Sequence, residues 1–174
     1  IFFLISLLIF FSSYLYYGIL ALFYTLNTKK IFKEPLKKNI NEKCLIVIPI
    51  LNGQDSINER IDNITKFCNS KDYEINLISD GSSDKTLKVA KTISKNKKKD
   101  GWNIYVDNNS TNIGRALTHN KSIAKYNHKY FLFSDLDTEF SNSFPSKAYE
   151  YIITNEECFA VSGRVVFKSI SKYG

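Results

Sequence analysis

From residue 43 onward, this 174-residue sequence predicts a layered α/β domain of parallel strands joined by crossover helices. Three observations carry that expectation. Short apolar runs alternate with segments of helical period, the order that parallel strands and crossover helices produce. The first run, "CLIVIPI" at 44–50, is almost continuously apolar, as a strand buried on both faces would be. Each of the first four runs ends in a polar insertion, and ligands of open α/β sheets gather beyond the carboxyl ends of the strands.

The domain is preceded by residues 1–26, which contain no charged side chain. A helix of that length reaches about 39 Å, enough to cross a hydrocarbon core of about 30 Å with tilt. Tyr14, Tyr16, Tyr17 and Tyr24 crowd its second half, as side chains near a water–lipid boundary do. A cleaved signal peptide would have a shorter apolar region followed by small residues, and neither is present. A transmembrane helix is therefore expected at 1–26. The basic linker 27–42 follows, with Lys29, Lys30, Lys33, Lys37 and Lys38. Lysines at the end of a span stay on the cytoplasmic side, so the protein is expected in the membrane with residues 43–174 facing the cytoplasm.

Within that domain, "DSINERIDNITKFC" (55–68) sets Ile57, Ile61, Ile64 and Phe67 at helical spacing. "YEINLIS" (73–79) alternates as a strand, and 82–96 carries Leu87, Ala90 and Ile93 on one helical face. A third strand is expected at 102–107, a helix at 114–127 and a fourth strand at 129–134. A helix at 144–154 and a fifth strand, "CFAVSG" at 158–163, complete the series.

The net charge of +7 comes largely from the linker and from "KNKKKD". These are solvated lysine runs without interleaved aromatics, so no nucleic-acid partner is expected. Cys44, Cys68 and Cys158 have neither C-x-x-C spacing nor a neighbouring His, which excludes a zinc site and a disulfide framework. His119 and His128 are too scattered for a metal cluster. The G-x-G-x-x-G fingerprint of dinucleotide binding is missing after the first strand, where "PILNGQD" stands.

The insertions themselves allow two readings each. "SDGSSDKT" places Asp80 and Gly81 where a capped turn, or a carboxylate accepting from a base or ribose, would stand. "NNSTNIGR" brings Asn112, Gly114 and Arg115 to a helix start. Arginine is scarce in this chain, and its planar fork suits phosphate or base edges better than lysine. "SDLDTE" ends an apolar strand with Asp135, Asp137 and Glu139. It is either an acidic surface turn or a site for a hard divalent cation that bridges carboxylates to phosphates.

Taken in order, "VIPILN", "SDGSSDKT", "NIGRALTHNKSIA", "FSDLDTE" and "AVSGRV" resemble the family 2 glycosyltransferases of GT-A fold, over roughly residues 43–165. The resemblance implies a GT-A-like, Rossmann-type layered sheet; with 1–26 before it, it is similar to the membrane-bound branch of polysaccharide synthases and polyprenyl-phosphate sugar transferases. It implies an inverting transfer of sugar from a nucleotide-sugar, UDP-linked, to a glycan or lipid acceptor, with Mg²⁺ or Mn²⁺ as cofactor. By position, Pro49 and Asn52 resemble the first nucleotide loop, Asp80 the nucleoside-holding acid, and Arg115 a basic residue near the nucleotide. Asp135 and Asp137 resemble the D-x-D pair that holds metal and diphosphate; Arg164 resembles a phosphate-side Arg of the polyprenyl-phosphate enzymes. Leu51 and Gly53 stand where the family usually has an aromatic and Glu, and Ser79 where it has the first Asp of a pair. The family's later acidic motif, which supplies the catalytic base, is expected beyond Gly174, so the domain is expected to be incomplete at its C-terminus. The rival from another class is a non-catalytic membrane-anchored assembly module.

Overall fold

The computed structural model describes residues 10–12, 14–23, 42–141 and 143–166. Chain contacts divide it into two units, residues 1–37 and residues 38–174. In the first unit residues 10–12 and 14–23 are helical with exposed side chains. No helix among the described residues is long and apolar enough to cross a membrane. Much of the expected span at 1–26, and residues 27–41 of the linker, lie outside the described residues.

In the second unit four parallel strands form one sheet in the order β3-β2-β1-β4. They are β1 (Cys44–Ile50), β2 (Tyr73–Asp80), β3 (Ile104–Asn109) and β4 (Tyr130–Phe133). The connecting helices are α1 (Ile57–Phe67), α2 (Thr86–Lys98) and α3 (Arg115–Lys125), and α4 (Phe144–Thr154) follows β4.

Side-chain alternation along the strands divides the sheet into two faces. Ile46, Ile48 and Ile50 of β1, with Ile75 and Leu77 of β2, point to the larger core. There they meet Ile57, Ile61 and Ile64 of α1, Ala90 and Ile93 of α2, and Tyr149 and Ile153 of α4. Leu45, Val47 and Ile78 point the other way, against Tyr105, Tyr126 and Phe131. This second face is partly polar. Asn76 is wholly buried in it, accepting from Ser122 Oγ of α3 at 2.8 Å and donating to Asp107 at 3.0 Å. A buried amide needs such partners, and these fix where α3 lies on the sheet.

Three sequence expectations change. The helix expected from 82 starts at Thr86, because Ser82, Ser83 and Asp84 bond to the loop after β1 instead. β3 runs to Asn109 rather than 107, since its register with β2 continues to the Asp80–Asn109 pair. The strand expected at 158–163 does not form. That segment has no strand partner among the described residues, and a strand without a ladder is not stable on its own. Phe159 there is 93% exposed.

Candidate active site

Connections from β1 through β3 proceed toward one edge of the sheet, and the β3–β4 connection returns to the opposite side of β1. The carboxyl ends of β1 and β4 therefore flank a topological switch point, where such sheets form a crevice. A cavity of about 430 Å³ lies there. Pro49 and Ile50 line it from β1, Leu51 from the loop after it, Asp80 from β2, and Asn112, Gly114 and Arg115 from the loop after β3 and the start of α3. Asp135, Leu136 and Asp137 line it from the end of β4.

Backbone geometry assembles these groups. Gly81 has φ +70°, and a Cβ there would lie 2.2 Å from the Asn112 nitrogen, so the β2 and β3 loops touch main chain to main chain. The Asp80 carboxylate, only 4% exposed, holds the second loop in place. It accepts from Asn109 Nδ2 at 2.8 Å, from the Ile113 amide at 3.1 Å and from the Gly114 amide at 3.0 Å. Burial alone would raise its pKa; the hydrogen bonds from Ile113, Asn109, Gly114 and Thr118 outweigh burial and hold it below the usual carboxylate range.

The loop after β1 is bound to the loop after β2. Asn52, in the left-handed region at φ 50°, accepts from the Ser83 amide at 2.9 Å, and its own amide donates to Ser82 Oγ at 3.0 Å. The Gly53 amide donates to the buried Thr86 Oγ1 at 2.9 Å. Gly53 also makes room for the middle residue of the acidic loop. A Cβ at 53 would lie 2.3 Å from Leu136 Cδ2.

The structure brings Pro49, Asp80, Arg115, Asp135 and Asp137 to the cavity. Asn52 is adjacent but not in its lining, and its side chain is used between loops. Arg164 is exposed in the irregular segment 155–166 and does not line the cavity. Arg115 Nη1 donates to Asp135 Oδ2 at 2.9 Å, with side chains 66% and 38% exposed. One turn along α3, the His119 ring packs on Phe133 at 4.5 Å. Burial lowers its pKa, with Asp135 opposing and Arg115 adding to the fall, so the ring is neutral near pH 7.

Among the described residues no cluster of three or more His, Cys, Asp or Glu is placed to hold a metal unaided. Asp135 and Asp137 nevertheless line the same cavity, and two carboxylates are the donor set of a Mg²⁺ or Mn²⁺ that takes its other oxygens from phosphates and water. The residues fit such an ion.

The sequence profile described as glycosyl transferase family 2 matches residues 45–173. The chain belongs to that family. As a family 2 member it shares its fold with the mannosyltransferase PcManGT from Pyrobaculum calidifontis, solved in complex with GDP-Man and Mn²⁺. The TM-score is 0.59 at 16% identity, over 75% of this chain and 39% of the other. S. aureus TarS 1-349 aligns with TM-score 0.57 and 23% identity, over 75% of this chain and 40% of that one. The same TarS segment in complex with UDP-GlcNAc gives 0.57 and 23%, over 75% and 38%. This family 2 chain thus spans about two fifths of each of these structures.

Proposed function

We propose that this chain is the nucleotide-sugar-binding part of a membrane-anchored, inverting glycosyltransferase. The observation that carries the reading is the convergence of Asp80, Arg115, Asp135 and Asp137 on one cavity at the switch point of the sheet. Family membership and the nucleotide-sugars bound by the structural relatives support it, and a UDP-sugar is the donor to test first. The anchoring helix at 1–26 and the lysine-rich linker belong to the same proposal, supported by the charge-free run and the lysines after it.

Each residue has a task. Pro49 and Leu51, both in the cavity lining, would wall the nucleoside. Asp80 fixes the Gly114–Arg115 helix start, where an exposed guanidinium can leave Asp135 and donate to a diphosphate oxygen in bidentate fashion. Asp135 and Asp137 would hold Mg²⁺ or Mn²⁺, which when bound supplies Lewis-acid stabilisation of the departing diphosphate. The bond from anomeric carbon to diphosphate breaks as the acceptor oxygen attacks from the opposite face, which inverts the configuration. The Arg115 guanidinium, once turned from Asp135 to the diphosphate, stabilises negative charge where it develops on the leaving group. Of the carboxylates lining the cavity, Asp80 is spent on loop amides and the other two on the ion. None of the three is left to take a hydroxyl acceptor's proton, and the later acidic motif of the family is the group proposed for that step.

Transfer of labelled sugar from a UDP-sugar by membranes containing the full-length protein tests the reading. Wild type should transfer, and Asp137→Ala should lose at least 100-fold. Undiminished transfer by that variant, or none from any nucleotide-sugar by wild type, would contradict it.

A further inference from the structure

Behind the acidic loop lies a buried arginine that none of the strand-end motifs contains. Arg60, on the inward face of α1, is 3% exposed. Its Nη2 donates to Ser134 Oγ at 2.7 Å and its Nη1 to Asn63 Oδ1 at 2.8 Å. Asn63 Oδ1 also accepts from the Phe140 amide at 2.9 Å, and Asn63 Nδ2 donates to the Phe140 carbonyl at 3.4 Å. The guanidinium lies over the Phe140 ring, 4.2 Å from its centroid. Ser134 and Phe140 are both buried, and between them stand Asp135, Asp137 and Glu139.

We propose that Arg60 and Asn63 are positioning residues: they grip both ends of the acidic loop from α1 and so hold the Asp135 and Asp137 carboxylates toward the cavity. The proposal rests on the reading of those two carboxylates as the metal and diphosphate holders, and adds the device that sets their geometry.

Core packing alone does not explain an arginine here. Its neighbours on the same face of α1 are Ile57, Ile61 and Ile64, and burying a guanidinium is costly unless its donors are used and anions lie near. Nη1 and Nη2 are used, on Asn63 and on Ser134 at the start of the acidic loop, and the loop's acids lie near, while Nε is buried without a partner. Burial lowers the Arg60 pKa to about 10, with Cys68, Glu139, Asp135 and Asp137 pulling it upward, so the group is cationic at neutral pH. Three acids within five residues repel one another, and a fixed cation behind the loop offsets that repulsion. The planar fork adds direction. One arm reaches the residue before Asp135, and the other orients the amide that holds the loop's far end.

The test uses the full chain. Hydrogen exchange of the segment 134–141 is followed without metal, and Mn²⁺ binding in the presence of UDP is followed by electron paramagnetic resonance. Asn63→Ala and Arg60→Lys should each speed exchange across 134–141 at least tenfold while β1 stays protected. Both should weaken Mn²⁺ about tenfold, the scale of losing an outer partner of a metal ligand. Asn63→Asp keeps the acceptor for Arg60 and the Phe140 amide but loses the donor to the Phe140 carbonyl, so it should lose less protection than Asn63→Ala. Arg60→Met removes grip and charge together, and its comparison with Arg60→Lys, which keeps the charge, separates the two. A role through charge alone would tighten Mn²⁺ in Arg60→Met and leave Arg60→Lys unchanged, and that pattern overturns the proposal. So does unchanged exchange in Asn63→Ala, a partly buried position outside the hydrophobic core. Absence of UDP-dependent Mn²⁺ binding by wild type would instead sink the functional reading, and the exchange comparison would still decide the grip.

Discussion

The Asp80 carboxylate accepts from an asparagine amide and two backbone N–H groups of the loop that presents Arg115. Asp80→Asn sets an NH₂ group against one of those donors. A buried donor without an acceptor costs about 1–3 kcal/mol, so a loss near 2 kcal/mol in urea unfolding is expected at pH 7. The pH dependence follows from the lowered pKa. A carboxyl group more acidic folded than unfolded stabilises above its unfolded value of about 3.9 and loses that contribution as pH falls through the folded value. The gap between wild type and Asp80→Asn should therefore be constant from neutrality to about pH 5 and narrow below about pH 4. A gap that widens in acid would show that the carboxylate is not what these amides bind.

At the scale of elements, the strands were legible because their apolar runs have only one way to be buried. β1 coincides with "CLIVIPI", and α1, α2 and α4 follow the isoleucine, alanine and tyrosine spacing on their inner faces, whereas α3 buries Thr118 and Ser122. The site was legible in part. Strand-end position alone brought Asp80, Arg115, Asp135 and Asp137 to one cavity. What stayed hidden was hydrogen bonding between segments about 30 residues apart. Asn52 read as part of a nucleotide loop and Ser82, Ser83 and Asp84 as the start of a helix, and they hold the β1 and β2 loops together. Arg60 and Asn63 drew no reading from the sequence, since nothing local marks a polar residue that reaches the core side of a loop 74 positions away. The fifth strand failed for the same reason in reverse, as a run with strand character still needs an edge to pair with. The closest loop-to-loop approach makes a prediction at this scale. Gly81→Ala adds a Cβ at positive φ against the Asn112 backbone, and should destabilise by about 2–4 kcal/mol in thermal or denaturant unfolding. A neutral outcome would mean that the β2 and β3 loops do not meet as described.

For the molecule as a whole, the parallel order β3-β2-β1-β4 is what turns separate loops into one site. Reversing direction on either side of β1 opens the crevice, and the apolar face of α1 to α2 keeps its floor rigid. On that floor the charges are arranged in layers: Arg60 behind the acidic loop, Asp135 and Asp137 on it, and Arg115 across the cavity mouth. In the function proposed above, such a set takes one more cation and one polyanion together, and neither binds strongly alone. Titration calorimetry of UDP with and without Mn²⁺, on wild type and on Asp137→Ala, examines that coupling most directly. The expected result is UDP binding at least tenfold tighter with Mn²⁺ in wild type, and no such gain in Asp137→Ala. Equal UDP affinity with and without the metal in wild type, or a full metal effect in Asp137→Ala, would contradict it.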